Sequence, residues 1–176
     1  AIIPLKNKGS DEDVFYAYGI SADLIKECSS AGTIRVESLD RIEKISDYEN
    51  LDIKSLASTL SVRYIITGTL WKMKDMFQLS IELYDTKESK VLWSDRWQES
   101  WSNLSNIQSK LADNITKAMN KTIIGKSNIS SNSEAYEYYL RGTHKFWKRS
   151  SIEETQISQD LLHKAIEMDE NLINAR

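Results

Sequence analysis

The chain is poor in the residues that carry most site chemistry. Across 176 residues it has one cysteine, one proline, two histidines and six glycines. A lone cysteine, Cys28, excludes an internal disulfide framework and a cysteine-based metal knuckle. No apolar run approaches the ~18–20 residues that a bilayer-spanning helix needs. No basic stretch followed by an apolar core marks a secretory leader. Lys and Arg number 23 against 26 Asp and Glu, a formal net charge of -3, so the basic footprint of a dedicated nucleic-acid binder is missing. Against these shortages stand five Trp and eight Tyr, more ring surface than a disordered segment carries. The length is enough to bury a real core.

Hydrophobic spacing divides the chain into elements. Ala1-Ile2-Ile3-Pro4-Leu5 reads as a buried strand. The acidic Asp11-Glu12-Asp13 then leads into a helical stretch carrying Val14, Phe15, Tyr18, Ile20, Leu24 and Ile25, with Gly32 as its stop. Thr33–Glu37 reads as a second strand and Ser38–Asn50 as polar with a short helix. Asp52 caps a helix bearing Ile53, Leu56, Ala57 and Leu60. Val62–Leu70 opens on a β-branched run, which suits a strand buried on both faces. Met76–Tyr84 alternates cleanly, with Phe77, Leu79, Ile81 and Leu83 on one side. In the next strand Val91, Trp93, Asp95 and Trp97 share a face. From Trp101 the period becomes helical, with Leu104, Ile107, Leu111, Ile115, Ala118 and Thr122 in one stripe, Gln108, Asp113 and Lys117 outside it, and Gly125 ending it.

Lys126–Ser133 is the linker-like stretch. Beyond it lie two helical segments, the first with Ala135, Tyr136, Tyr139, Leu140 and Phe146. The second is announced by overlapping capping boxes at Ser150 and Ser151 and carries Ile157, Leu161, Leu162, Ala165 and Ile166. The expectation is an α/β domain over 1–125, a linker over 126–133 and a helix pair over 134–176. A chain that begins in a strand and stops inside a helical pattern reads as an excerpt of something longer.

Chemistry is sparse. Ile124-Gly125-Lys126-Ser127 resembles the end of a phosphate loop, but the required earlier glycine is Asn120 and a helix, not a strand, precedes it. Asp11–Asp13 lacks the alternating acids and closing Glu of a calcium loop, so dipole compensation is the better reading. His144 and His163 stand apart with no partner ligand at helical spacing, and each reads as a solvated helical residue. No serine has nucleophile-elbow glycines. The Asn-x-Ser/Thr sequons at Asn103, Asn114, Asn120 and Asn128 fall mostly inside the long helix and read as chance. Trp93, Trp97 and Trp101 recur every four residues, with Trp71 nearby. They read either as an aromatic platform for a partner or, preferably, as rings covering the sheet where the helix crosses it.

Several stretches resemble one known family in register. Ala1–Leu5 resembles the "AVLPF" opening of the TolB amino-terminal-like domain, and Tyr16–Ile25 its "FADGLTEDLI" helix. Leu60–Leu70 resembles "LGVRYVLEGSV", and Leu83–Thr86 through Val91–Trp97 resembles "LIDAATGEHLWAERY". Further on, Ala135–Gly142 and Leu161–Asn171 are similar to a tetratricopeptide repeat, with Glu170 in place of the usual Pro and Ser158 where a small residue packs between helices. One repeat cannot bury its faces alone, so more should follow.

The resemblance implies a small mixed five-stranded sheet with packed helices, of the anticodon-binding-like kind, followed by a repeat-like helical hairpin. It implies no catalytic residues of its own; no cofactor is expected, and the residues themselves point to no metal. The parents it suggests are bacterial signalling proteins, among them nucleotide cyclases, kinases and winged-helix regulators, membrane-anchored outside this segment. The function expected is a non-catalytic sensory or protein-interaction module, extracytoplasmic or, alternatively, cytoplasmic. The other reading is a structural envelope component of the TolB or FlgO type. A protein or peptide partner is expected, not a nucleic acid. Its contact is expected at Trp93, Arg96, Trp97 and Trp101, with Val91–Gln98 as an edge strand open to peptide addition.

Overall fold

The computed structural model describes residues 1–30, 34–119, 132–170 and 172. A four-stranded mixed sheet, ordered β1 (Lys6–Asn7), β2 (Tyr64–Met73), β3 (Met76–Asp85) and β4 (Lys90–Ser100), forms the centre. β1 runs parallel to β2, and the other pairs are antiparallel. The helices are α1 (Val14–Ser30), α2 (Leu39–Glu43), α3 (Ile53–Leu60), α4 (Leu104–Ala118), α5 (Ser133–Lys148) and α6 (Ile152–Met168). One-turn 3-10 segments at Asp11–Asp13 and Trp101–Asn103 lead into α1 and α4.

Among the described residues the sheet has four strands where five are expected. Residues 34–37 form no strand. The buried Glu37 carboxylate instead takes Arg41 at 3.1 Å and Arg35 at 3.6 Å, which ties this run to the start of α2. Ile34 and Val36 are apolar enough for a strand, but β-propensity is realised only beside a sheet edge. The stop assigned to Gly32 lies outside the described residues, as do Thr122, Gly125 and the Gly125–Ser127 loop.

The opening segment joins the sheet in two pieces. Ile2 bridges Ile66, and the Ile3 N–H donates to the Ile66 carbonyl at 2.9 Å. Lys6 and Asn7 then pair with Thr69 and Leu70. The offset drops by one between the two pieces, so one residue is looped out around Pro4, which has no N–H for the ladder. The Leu5 N–H turns away from the sheet and donates to Ser21 Oγ of α1 at 2.9 Å.

β3 has the predicted alternation, with Phe77, Leu79, Ile81 and Leu83 all fully buried. They pack with Tyr16, Ile20 and Leu24 of α1 and Leu104, Ile107, Leu111 and Ile115 of α4 in one cluster. Two-sided burial of β2 is confined to its first turn. Ile66 faces this cluster, while Ile65 faces a smaller one with Ile3, Ile42, Leu56 and Leu60. Further along, Thr67 and Thr69 are half-buried and Trp71 is exposed. The β2–β3 turn contains no glycine, so Lys74 takes the left-handed conformation at φ 53°.

The hairpin of α5 and α6 is built into the same core. Ala135, Tyr136, Tyr139, Leu140 and Ala165 belong to the cluster that fills the sheet's inner face. Asn132 caps α5 by accepting from the Glu134 and Ala135 N–H groups, and Ser151 caps α6 by accepting from the Glu154 N–H. Ser133, assigned to the linker, is the first residue of α5. Within the hairpin, Ser158 is buried and its hydroxyl donates to the Gly142 carbonyl at 2.9 Å. Phe146 and Ile157, expected inside, are partly exposed.

Candidate functional site

β4 is an edge strand, and its register decides which side chains it offers. A bulge opposite Leu83 and Tyr84 pairs Leu83 with Trp93 and Tyr84 with Val91. The extra residue breaks the alternation, so Val91 leaves the face it was expected to share with Trp93 and is exposed; Leu92 packs on the core instead. Below the bulge, Trp93 and Trp97 lie opposite Leu83 and Leu79 on the inner face. Their rings are 6.0 Å apart, tilted by 47°, and half-buried against the core. Arg96, opposite Ser80, projects on the other face and is exposed.

The ladder's phase follows from one bond. The Trp101 N–H donates to the Asp75 carbonyl at 2.7 Å. Alternate residues of an antiparallel strand bond to the same neighbour, so Trp93, Asp95, Trp97 and Glu99 bond to β3. Ser94, Arg96 and Gln98 therefore turn their N–H and C=O groups to the open edge. The Arg96 N–H is capped by its own neighbour, Asp95 Oδ1, at 2.8 Å. A charged side chain that guards an edge amide is one of the ways proteins blunt unwanted strand pairing.

Trp101 does not join this surface. It is 9% exposed, and its ring meets Tyr16 edge-on at 4.5 Å and Phe77 at 5.9 Å. Lys72 Nζ lies 4.8 Å from the Tyr16 centroid and 5.6 Å from that of Trp101. Of the four residues singled out from sequence, β4 thus gathers Trp93, Arg96 and Trp97 along one edge, and Trp101 closes the core beneath α4.

A second constellation matches no sequence motif. Asp23 of α1 is buried, and its carboxylate accepts from Tyr136 and Tyr139 of α5, each at 2.5 Å. Gln108 Nε2 of α4 donates to the Tyr136 hydroxyl at 2.6 Å. Gln108, expected on the outer side of its helix, is fully buried, because α5 covers that side. Burial pushes the Asp23 carboxyl up to about 6, against the two tyrosine donors and the Lys26 charge, which pull it down. Both tyrosines are held far above their ordinary value by burial first and by the Asp23 charge next. The only sequence signal was an aspartate set in the apolar run Ala22, Leu24, Ile25.

The remaining reactive groups are quiet. Burial pushes the Cys28 thiol up to about 12, which leaves no thiolate at neutral pH. His144 is half-buried rather than solvated, edge-on to Tyr18 at 5.3 Å. Burial, and then Lys148 and Lys145, lower its pKa. His163 is exposed. Among the described residues no three His, Cys, Asp or Glu side chains gather as a metal ion would require. No described helix is long and apolar enough to cross a membrane.

Comparison with known proteins places this architecture. Residues 1–114, from the opening segment into α4, match the HilA/YgeH-like transcriptional regulator, second domain. The chain belongs to this family. This HilA-type domain is also similar to the "Putative adenylate cyclase 3" of Rhizobium meliloti (strain 1021), at 21% identity over 99% of the chain and 31% of that protein. The chain thus spans about a third of that relative's length. Among solved structures the fold is like TolB from Acinetobacter baumannii, with a TM-score of 0.51 and 17% identity over 67% of this chain and 27% of that one. Lipoprotein GNA1162 from Neisseria meningitidis gives a TM-score of 0.47 and 16% identity over 56% of this chain and 77% of that one. The TolB-like fold expected from the sequence is therefore the fold of this HilA-type domain, with one strand fewer among the described residues.

Proposed function

We propose that the chain is a non-catalytic sensory or protein-interaction module of a bacterial signalling or regulatory protein, in which β4 receives an extended peptide and the α5–α6 hairpin opens a helical repeat array. The observation that carries this reading is the edge of β4, open at Ser94 and Gln98 and guarded at the Arg96 amide by Asp95, with Trp93 and Trp97 on one side and Arg96 on the other. Main-chain groups supply affinity in strand addition, and alternate side chains supply specificity. Support also comes from the two contexts of the relatives, a transcriptional regulator's second domain and a protein named as an adenylate cyclase. The same module joined to unlike output domains is what a sensor or adaptor does.

The test is direct binding. Peptides selected from a displayed library against the 176-residue chain are measured by fluorescence anisotropy against wild type and Arg96→Glu. N-methylation of alternate peptide amides then reads the pairing. Affinity lost for one parity of methylation and kept for the other supports strand addition, whereas equal tolerance of both parities rejects it.

The second reading is a structural component of envelope assembly, extracytoplasmic in location, and the likeness to TolB favours it. It requires a secretory or lipoprotein leader upstream in the parent protein. A cyclase, kinase or winged-helix domain there selects the sensor reading.

A further inference from the structure

We propose that Asp23, Tyr136 and Tyr139 form a proton-operated latch that sets how firmly the α5–α6 hairpin is seated on the α/β unit. The geometry carries the idea. Asp23 is a fully enclosed carboxylate on α1, and its two oxygens are divided between two hydroxyls of α5. Gln108 of α4 donates to the Tyr136 hydroxyl, while its own Oε1 is buried without a partner. Three helices thus meet on one ionisable group. Beside it lies a pocket of about 450 Å³ lined by Asp23, Leu39, Tyr139, Phe146, Trp147 and Leu162. Asp23 is one of the residues lining this pocket, which lies beside the seat of α5.

The charged surroundings are few. Lys26 and Glu27 flank Asp23 on α1, Asp40 of α2 lines the same pocket, and α6 contributes Leu162 there. Lys26 is exposed and favours the ionised form, but burial outweighs it. Freed into water, Asp23 returns to the ordinary carboxylate value of 3.8, whereas seated it holds its proton to about 6. Seating is therefore strongest when Asp23 is protonated. It weakens as pH rises from about 4 to about 6 and is flat outside that window. Two pKa units correspond to about a hundredfold in the seating equilibrium. A protonated Asp23 still bridges the tyrosines, since its O–H donates to one hydroxyl and its carbonyl oxygen accepts from the other.

Hydrogen exchange on the 176-residue chain, corrected for the intrinsic pH dependence of exchange, reads the latch. In the wild type, protection of α5 and α6 relative to β2 and β3 is expected to fall about a hundredfold between pH 4 and 7. In Asp23→Asn the ratio is expected to be flat. In Tyr139→Phe, which removes one donor to the anion, the fall still begins near pH 4 but is expected to extend to higher pH and to deepen. An equal fall in wild type and Asp23→Asn overturns the proposal. If Asp23→Asn does not fold, carbon-13 NMR titration of the wild-type Asp23 carboxyl decides. A midpoint clearly above the ordinary value of about 4 sustains the latch, and one at or below it removes it.

Discussion

Gly19 of α1 lies against Leu140 of α5 so closely that a Cβ on the glycine would stand 2.5 Å from Leu140 Cδ2. The absence of one side chain is what lets α5 approach α1. Gly19→Ala is expected to push the helices apart and destabilise the fold by about 1–3 kcal/mol, the usual cost of overpacking. Urea denaturation measures it. The double change Gly19→Ala, Leu140→Ala is expected to be less than additive, because the second truncation removes the clash made by the first.

Arg63 and Asp85 clamp the end of the sheet. Arg63 Nη2 donates to Asp85 Oδ2 at 2.7 Å, and the Lys87 N–H donates to Oδ1 at 3.0 Å, closing the β3–β4 turn. The Arg63 hydrogen bond is the largest cause holding the Asp85 carboxyl down at about 2. A depressed acid stabilises the fold above its unfolded value and stops doing so as pH falls through its folded one. Asp85→Asn is therefore expected to be less stable than wild type at pH 5–7 and to converge with it between about pH 4 and pH 2. Denaturation midpoints across that range check the sign, which is opposite to that of Asp23.

Asp95 caps the edge amide that an added strand needs. Asp95→Ala frees the Arg96 N–H, so any peptide that binds β4 is expected to bind several-fold tighter, roughly the worth of one exposed hydrogen bond. Self-association should rise with it, and analytical ultracentrifugation measures that. Unchanged peptide affinity in Asp95→Ala would show that the ligand does not use this amide.

Cys28 is enclosed and protonated, so thiol reagents are expected to label it no faster than the chain unfolds. Stopped-flow labelling with a disulfide reagent, compared with the unfolding rate in denaturant, provides the check. Fast labelling in native buffer would place the thiol within reach of solvent.

Most of the architecture was legible in local pattern. The alternation of Phe77, Leu79, Ile81 and Leu83 specifies a half-buried strand. The stripe of Leu104, Ile107, Leu111 and Ile115 specifies a helix, and Asp52 and Ser151 mark helix starts by their capping chemistry. Local pattern and structure part where a neighbour decides the outcome. The run around Ile34 and Val36 had strand propensity but no edge to join. A bulge that its own sequence does not announce breaks the β4 alternation, and the helical stripe leaves Gln108 outside because the helix that covers it lies far along the chain. Spacing groups Trp101 with Trp93 and Trp97, yet the turn into α4 rolls it into the core.

What the sequence by itself determined is most of the inventory of elements and their order, because periodicity and capping act within a few residues. What only the tertiary structure decided is the pairing of distant groups: Asp23 with Tyr136 and Tyr139, Gly19 with Leu140, and which side of β4 meets water. Those contacts span up to 121 positions of chain. They are settled by which helix covers which face, a matter of packing and desolvation that no local window contains.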